Sequence, residues 1–333
     1  MIYLTNLPSF YKIRLWNEVA RRRKLLVVFY QEVADDRNKD FFRGEMRFEH
    51  LWLRGSTVAK VRQLVHVLRS RPYDELVLGG WENLPLLAGA FLSPRRKNAC
   101  VVESSLYESA TGGVKGLVKK LFMRRISKVY ACGKPQAALA EALNFRGRMV
   151  LTGGCGILNY VAQPPYAPRS EVRRFLYVGR LVEVKNLELL VQTFNEMPDL
   201  ELTIVGFGQL EKHLKAMAGS NVRFVGAVDN EKLPGVYRTA DVFVLPSKSE
   251  VWGLVVEEAL NNGTPVIVSD RVGCKDDLVT AETGLVFRHD DAASLKAAVR
   301  QMCDVAFYNR LRQGVARLDF SRSARRQVEV YLS

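Results

Sequence analysis

Two acidic side chains, Glu250 and Glu258, stand eight residues apart in the stretch VLPSKSEVWGLVVEEALNNGTPVIVSD, which runs from 244 to 270. The apolar run ends at Leu245 as a strand would. A short loop then carries Glu250 and Gly253, and Leu254 to Asn261 have helical spacing. Gly263, Thr264 and Pro265 punctuate the return to a strand. This order leaves the amides of Trp252, Gly253 and Leu254 at a helix N-terminus, where aligned peptide dipoles favour a phosphate. Glu250 sits on the loop and Glu258 about a turn inside the helix, so both can reach the hydroxyls of one ligand. The implied chemistry is recognition of a molecule that carries phosphate and hydroxyl groups. Two acids eight apart are common by chance, so the surrounding block carries the specificity. The neighbouring Glu257 reads as a solvated helix residue, and Asp241 as structural. Gly206 and Gly208 read as a turn that lets backbone approach a nucleotide.

The elements that must position these residues alternate between strand and helix. In the first half, strands are predicted at Met1–Thr5, Leu25–Tyr30, Phe48–Leu53, Glu75–Leu78, Ala99–Glu103 and Lys128–Ala131. Helices are predicted at Tyr11–Arg23, Val58–Ser70, Leu84–Phe91, Val114–Ser127 and Gln136–Leu143. After a proline-rich stretch with Pro164, Pro165 and Pro168 the alternation resumes. Its strands are Arg174–Val178, Glu201–Val205, Val222–Val225, Val242–Leu245 and Pro265–Val268. The intervening helices are Asn186–Asn195, Gln209–Met217, Glu231–Thr239 and Leu254–Asn261, and Ser294–Met302 and Ser321–Tyr331 close the chain. Such alternation implies β-α-β units with mainly parallel sheets, whose ligands bind beyond the carboxyl ends of the strands. The 333 residues suit two domains. The expected layout is an N-terminal Rossmann-like domain over 1–160, a linker over 161–170 and a second Rossmann-like domain over 171–310. Residues 311–333 are expected as a C-terminal helix able to pack back on the first domain.

The net charge of +14 is unevenly placed. Residues 1–165 hold 27 Lys/Arg against 13 Asp/Glu, whereas 166–333 hold 22 of each. The surplus therefore belongs to the first domain and points to a polyanion or an anionic membrane surface. Nucleic acid is disfavoured, because no stacking-aromatic module accompanies the charge. The longest apolar run, Leu84–Leu92, contains Pro85 and is well short of the ~20 residues that span a bilayer. With no basic leader and no long apolar core at the start, a cytoplasmic location is expected. Cys100, Cys132, Cys155, Cys274 and Cys303 are odd in number and widely spaced. They read as ordinary buried thiols, and the spacing supports neither a disulfide framework nor a thiolate metal site. Four scattered histidines support no metal site either.

The block at 244–270 resembles the signature of glycosyltransferase family 4, an E-x7-E element followed by A-L-x-x-G-x-P-V-I. Further segments match in the same order: YVGRL at 177–181 with Lys185 and Asn186, IVGFG at 204–208, Val225-Gly226, ADVFVLPS at 240–247, Val272-Gly273 and TGLV at 283–286. The resemblance covers about 172–305 strongly and the first 165 residues only in general layout. It implies an α/β fold of the GT-B type, two Rossmann-like doubly wound domains facing across a cleft. It also implies retaining, metal-independent transfer of a sugar from a nucleotide-diphosphate donor, with no cofactor.

On this resemblance Arg180 and Lys185 bind the donor diphosphate. Glu250 faces the donor sugar's hydroxyls and its developing positive charge, and Glu258 takes the ribose hydroxyls. Gly179, Gly206, Gly208, Trp252, Gly253 and Leu254 line the donor. Family members are thought to transfer by front-face attack, so Glu250 is not read as a nucleophile. A leaving diphosphate gains negative charge in the transition state, and without a metal fixed cations must stabilise it. The first loop departs from the family's common form. It has no glycine pair, and Ser9 and Tyr11 take a place on the acceptor side. Strand ends at Gly79-Gly80 and Glu103 also fall near the expected cleft.

The segment 115–128 is a basic amphipathic stretch. Lys115, Lys119, Lys120, Arg124 and Lys128 are expected near one face, with Leu117, Val118, Leu121, Phe122 and Ile126 on the other. Lys119, Lys120, Arg124 and Arg125 are thereby expected to meet an anionic inner-membrane surface. The expected partners are a nucleotide sugar, a glycan or polyprenyl-linked glycan acceptor, and that membrane. The function expected is hexosyl-type transfer in bacterial surface polysaccharide synthesis, by a protein peripheral to the cytoplasmic membrane. Two other readings share the fold. A sugar-nucleotide epimerase would need first-domain acids and histidines that are not found here. A non-catalytic binding protein would not need Arg180, Lys185, Glu250 and Glu258 together.

Overall fold

The computed structural model describes residues 1–31, 42, 44–158 and 160–333. It divides into two compact units. One comprises Met1–Leu158 and Ser321–Ser333, the other Asn159–Phe320.

The first unit is built on strands β1 (Ile2–Thr5), β2 (Leu26–Phe29), β3 (Glu49–Trp52), β4 (Leu76–Leu78), β5 (Asn98–Val102), β6 (Lys128–Ala131) and β7 (Arg148–Leu151). Helices α1 (Phe10–Ala20), α2 (Thr57–Ser70), α3 (Leu84–Leu92), α4 (Gly113–Met123) and α5 (Lys134–Ala142) intervene. The sheet order is β3-β2-β1-β4-β5-β6-β7, and every pairing is parallel. The order reverses between β1 and β4, which makes the sheet doubly wound. Strands β1, β2, β4 and β5 are buried throughout, whereas the edge strands β3 and β7 are partly exposed. Continuous apolar runs in the sequence follow from cover on both faces.

Alternate side chains of β1 serve the two faces. Ile2 and Leu4 pack with Leu64 of α2, Leu86 of α3 and Phe122. Tyr3 packs on the other side with Trp16 of α1 and Phe29. Trp16 lies 5.2 Å from Tyr3, 5.7 Å from Phe29 and 5.7 Å from Phe48, ring centre to ring centre. Each such buried ring contributes about 1.5–3 kcal/mol.

The second unit holds β8 (Arg174–Val178), β9 (Glu201–Val205), β10 (Val222–Gly226), β11 (Val242–Leu245), β12 (Val266–Ser269) and β13 (Gly284–Phe287), in the order β10-β9-β8-β11-β12-β13. Its helices are α6 (Leu187–Asn195), α7 (Glu211–Met217), α8 (Leu233–Thr239), α9 (Leu254–Asn261), α10 (Lys275–Leu278), α11 (Ala292–Met302) and α12 (Val305–Ala316). The switch point lies between β8 and β11. Asp241 ties these two strands together. Its carboxylate accepts from the amides of Arg173 and Arg174 at 3.1 and 2.9 Å, and Nη2 of Arg174 adds a bond at 2.9 Å. Those donors hold the Asp241 carboxyl below its ordinary value.

A last helix, α13 (Phe320–Leu332), lies almost wholly in the first unit. Val328 and Tyr331 join that core, and the Tyr331 ring lies 4.5 Å from that of Tyr130. The sequence reading missed β7, β13, α10 and α12. β7 and β13 are short edge strands with partly exposed residues. α12 is capped by Asp304, whose carboxylate accepts the Phe307 amide at 3.0 Å. Residues 161–170, read as linker, carry no regular structure and fall in the second unit. Among the described residues, no helix is long and apolar enough to cross a membrane.

Candidate functional site

The predicted donor residues gather at the carboxyl ends of β8, β9 and β11, beside the switch point where doubly wound sheets bind ligands. Three backbone links hold the Glu250 loop. The amide of Glu250 donates to the Arg271 carbonyl at 3.1 Å, and its own carbonyl accepts from Gly273 at 2.9 Å. The amide of Lys248 donates to the Val184 carbonyl at 2.8 Å, which clips this loop to the turn over Glu183–Lys185. The clip brings Lys185 against Glu250, and its ammonium donates directly to the Glu250 carboxylate. Both side chains are mostly buried. The pair is therefore a cation and an anion already in contact, with a carboxylate oxygen of Glu250 left over for another donor.

Arg180 lies on the loop that follows β8. The Tyr177 hydroxyl donates to its carbonyl at 2.9 Å and fixes the loop from below. The loops after β8 and β9 lie backbone to backbone. Gly179 donates to Val205, Leu181 to Phe207, and Leu210 back to Leu181, at 2.8–3.0 Å. The sequence reading of Gly206 and Gly208 was a turn that lets backbone approach a nucleotide, and the close approach found here is between the two loops. A Cβ on Gly206 would stand 1.8 Å from the Gly179 carbonyl oxygen, and one on Gly208 2.4 Å from that of Leu181. Both are glycine because the neighbouring protein backbone occupies that space.

α9 opens at Gly253, whose φ of 101° lies in the left-handed region. Leu254 is its first residue and is partly buried. The Trp252 side chain is buried, so only its backbone can face a ligand. Its indole N–H donates to Glu257. Glu257 is the clearest departure from the sequence reading. It is 1% exposed rather than solvated, and it also accepts from the Tyr160 hydroxyl at 2.9 Å. Glu258 accepts from the Tyr237 hydroxyl at 2.8 Å. Tyr237 and Tyr160 had no sequence signal. Their roles come from sheet order and chain return, which no local pattern encodes.

Burial pushes both the Glu257 and Glu258 carboxyls up to about 7, from an ordinary 4.5. An acid raised in this way costs stability as pH rises. Below 4.5 both folded and unfolded chains hold the proton. Between 4.5 and 7 only the unfolded chain releases it, and above 7 the full cost, roughly 3 kcal/mol per group, is present. Glu257→Gln keeps the neutral shape, with Tyr160 able to accept from the new amide. The variant is expected to gain on the parent by about 2 kcal/mol more at pH 8 than at pH 5. Urea unfolding at both pH values checks this, and parallel stability profiles for the two proteins would refute it.

In the first unit, Ser9 is buried at 3% exposure before α1, and Tyr11 is partly exposed. Ser9, given an acceptor-side place from the sequence, thus has its hydroxyl covered by protein. Lys119 is turned inward. Its ammonium donates to Ser109 Oγ at 2.6 Å and to the Ala110 carbonyl at 2.9 Å, and lies over the Trp81 ring. The Arg125 guanidinium bonds the carbonyls of Ala90, in the last turn of α3, and of Ser93 just past its end. Lys128 lies in β6 rather than on the helix, paired with Glu75 at 2.9 Å. Lys115 and Arg124 are exposed, and Lys120 is partly so.

The apolar side of α4 differs from expectation. Phe122 and Ile126 are buried, but Val114, Leu117, Val118 and Leu121 are 80, 58, 44 and 43% exposed. Their spacing puts them on one face. Phe91 and Leu92 at the end of α3 are exposed as well. Charge and apolar surface therefore share the outside of this unit.

Residues 162–313 match the family described as Glycosyl transferases group 1. The chain is 33% identical over 132 residues to the sulfoquinovosyl transferase SQD2 of Arabidopsis thaliana, covering 38% of this chain and 26% of that protein. It is 34% identical over 193 residues to a glycogen synthase of Mycobacterium tuberculosis, covering 52% of this chain and 46% of that one. The matched stretches thus span a quarter to a half of these relatives' lengths. Among solved structures, Anabaena HepE in complex with UDP superposes with a TM-score of 0.72 over 99% of both chains, at 14% identity. At that identity the likeness speaks for the fold, GT-B with its two Rossmann-like units. The likeness to the group 1 glycosyl transferases thus lies wholly within the second unit.

Proposed function

We propose that this protein is a retaining, metal-independent glycosyltransferase. It moves a sugar from a nucleotide-diphosphate donor to a hydroxyl of a glycan or polyprenyl-linked glycan, in bacterial surface polysaccharide synthesis. The observation that carries this reading is the contact of Lys185 with Glu250 beside the Arg180 loop at the switch point. Lys185 and Arg180 neutralise the charge that grows on the leaving diphosphate. Glu250 holds the donor sugar's hydroxyls, and its carboxylate favours positive charge at the anomeric carbon. Glu258, braced by Tyr237, accepts from the ribose hydroxyls. The departing phosphate takes the acceptor's proton. One relative is named as a sulfoquinovosyl transferase and another as a glycogen synthase, and HepE was solved with UDP. These names support a nucleotide-sugar donor.

A thermal-shift panel of UDP, GDP, ADP and their sugar conjugates tests the donor assignment. Ligand at 100 times its Kd should add about 2.7 kcal/mol of stability. One base should stand out, and Glu258→Ala should shrink its effect. No shift with any member, together with no release of nucleoside diphosphate, would sink the assignment.

The exposed apolar face of α4, with Lys115, Lys120 and Arg124 around it, supports docking on an anionic membrane at the inner face of the cytoplasmic membrane. Each surface cation contributes about 1 kcal/mol there. Leu117→Ser with Leu121→Ser should weaken binding to vesicles containing phosphatidylglycerol, and raised salt should weaken it further. Equal binding to neutral vesicles, or none lost in the double variant, would contradict the docking surface.

A further inference from the structure

Two cysteines that are 23 positions apart in sequence meet at the carboxyl end of the first sheet. The Sγ atoms of Cys132 and Cys155 are 3.1 Å apart, and both are free thiols. Cys132 follows β6 and is buried. Cys155 is partly exposed in the loop after β7. The approach does not depend on the sulfurs. Thr152 donates to the Ala131 carbonyl at 2.9 Å and Gly154 to that of Cys132 at 3.1 Å. Gly156 donates to Gln327 Oε1 at 2.9 Å, and Ile157 to the Tyr11 carbonyl at 2.9 Å. The backbone therefore presents the two thiols to each other.

The Glu103 carboxylate lies within 4.8 Å of both sulfurs, so the trio has the donor set of a metal site. A metal fits it less well than a disulfide does. Lys12, almost fully buried, already pairs with Glu103 at 2.8 Å and would be driven against the added positive charge. Two thiolates on one zinc, each at about 2.3 Å in a tetrahedron, stand about 3.8 Å apart, wider than here. Sulfurs at 3.1 Å need only a small approach to bond.

We propose that Cys132 and Cys155 are a dithiol modification site, oxidised to a disulfide by exchange with a small-molecule disulfide such as oxidised glutathione. The Cys155 thiolate attacks one sulfur of the reagent, forming a mixed disulfide and releasing one glutathione thiolate. The Cys132 thiolate then attacks the Cys155 sulfur and expels the second. The protein loses two hydrogens and two electrons, and one oxidised glutathione becomes two reduced ones. Burial pushes the Cys155 thiol up, so the exchange runs over hours. The bond ties the end of β6 to the loop that packs on Tyr11 and Gln327. This chemistry is independent of sugar transfer.

The native full-length chain is incubated with oxidised glutathione, quenched in acid, denatured, alkylated and peptide-mapped. Peptides joined through Cys132 and Cys155 are expected, with Cys100, Cys274 and Cys303 still alkylated and circular dichroism unchanged. Dithiothreitol should reverse the link, and the linked protein should melt several degrees higher. Cys132→Ser should stop at a glutathione adduct on Cys155, whereas Cys155→Ser should stay unmodified. The proposal is overturned if both cysteines remain alkylated at equilibrium, if links scramble to the other cysteines, or if Cys155→Ser is modified at Cys132. Stoichiometric zinc in the purified protein, lost in Cys132→Ser, would overturn it in favour of a metal site.

Discussion

Glu250→Ala is expected to lower the rate of sugar transfer, and of donor hydrolysis, by about 100- to 1,000-fold while leaving the protein folded. Folding is spared because the Glu250 backbone is held by Arg271 and Gly273, not by its side chain. On the proposed mechanism activity falls because the variant removes the carboxylate assigned to the donor sugar and also releases Lys185, whose ammonium it holds. Lys185→Ala should cost a similar factor. The double variant should lose little more than the worse single one, since each change already breaks the same unit. Glu250→Gln separates hydrogen bonding from charge. It should keep donor KM near that of the parent and lose most of kcat, if the charge acts in the transition state. Steady-state kinetics with the donor named by the thermal-shift panel check all four proteins. Activity of Glu250→Ala within about threefold of the parent would remove Glu250 from the mechanism, as would full additivity in the double variant.

Gly206→Ala is expected to be the most damaging single-methyl change in the second unit, costing about 3 kcal/mol or more. Its φ is 139°, where an L side chain is strained, and the new Cβ would lie 1.8 Å from a carbonyl oxygen. That oxygen belongs to Gly179, whose loop carries Arg180 and is pinned by Tyr177. The loop must move for the methyl to fit, so any folded variant should also bind the donor more weakly. Gly235→Ala is the control. Gly235 lies within α8 with no atom within 4 Å of a built Cβ, and alanine there should be neutral or stabilising by up to about 1 kcal/mol. Urea unfolding of the three proteins checks the pair. Equal stability of Gly206→Ala and the parent would show that the two loops are not packed as described.

Both results depend on features of different legibility. The strand–helix alternation was readable because apolar runs and helical spacing are local, and buried parallel strands leave continuous apolar stretches such as Val242–Leu245. The edge strands β7 and β13 were missed, being short and only partly buried, although the edge strands β3 and β10 were found. The site blocks were readable as blocks. Their internal economy was not, since Trp252 turned inward and Glu257 became the buried acid it bonds. On α4 the helical spacing was visible, but spacing alone does not say which face meets the core. The sequence reading grouped Leu117 and Leu121 with Phe122 on one apolar face, whereas the helix buries Phe122 and Met123 and leaves Leu117 and Leu121 exposed.

The amino-acid sequence by itself determined the two-sheet α/β class, the placement of the positive charge in the first half, and the residues that follow β8, β9 and β11. These are consequences of short-range periodicity, composition and order. Tertiary structure alone decided the pairings. Lys185 meets Glu250 across 65 residues because β8 lies beside β11. Tyr237 meets Glu258 because α8 and α9 are neighbours. Cys132 meets Cys155 because β6 lies beside β7. Each of these contacts is set by sheet order, and sheet order is a property of the whole buried core rather than of any segment of the chain.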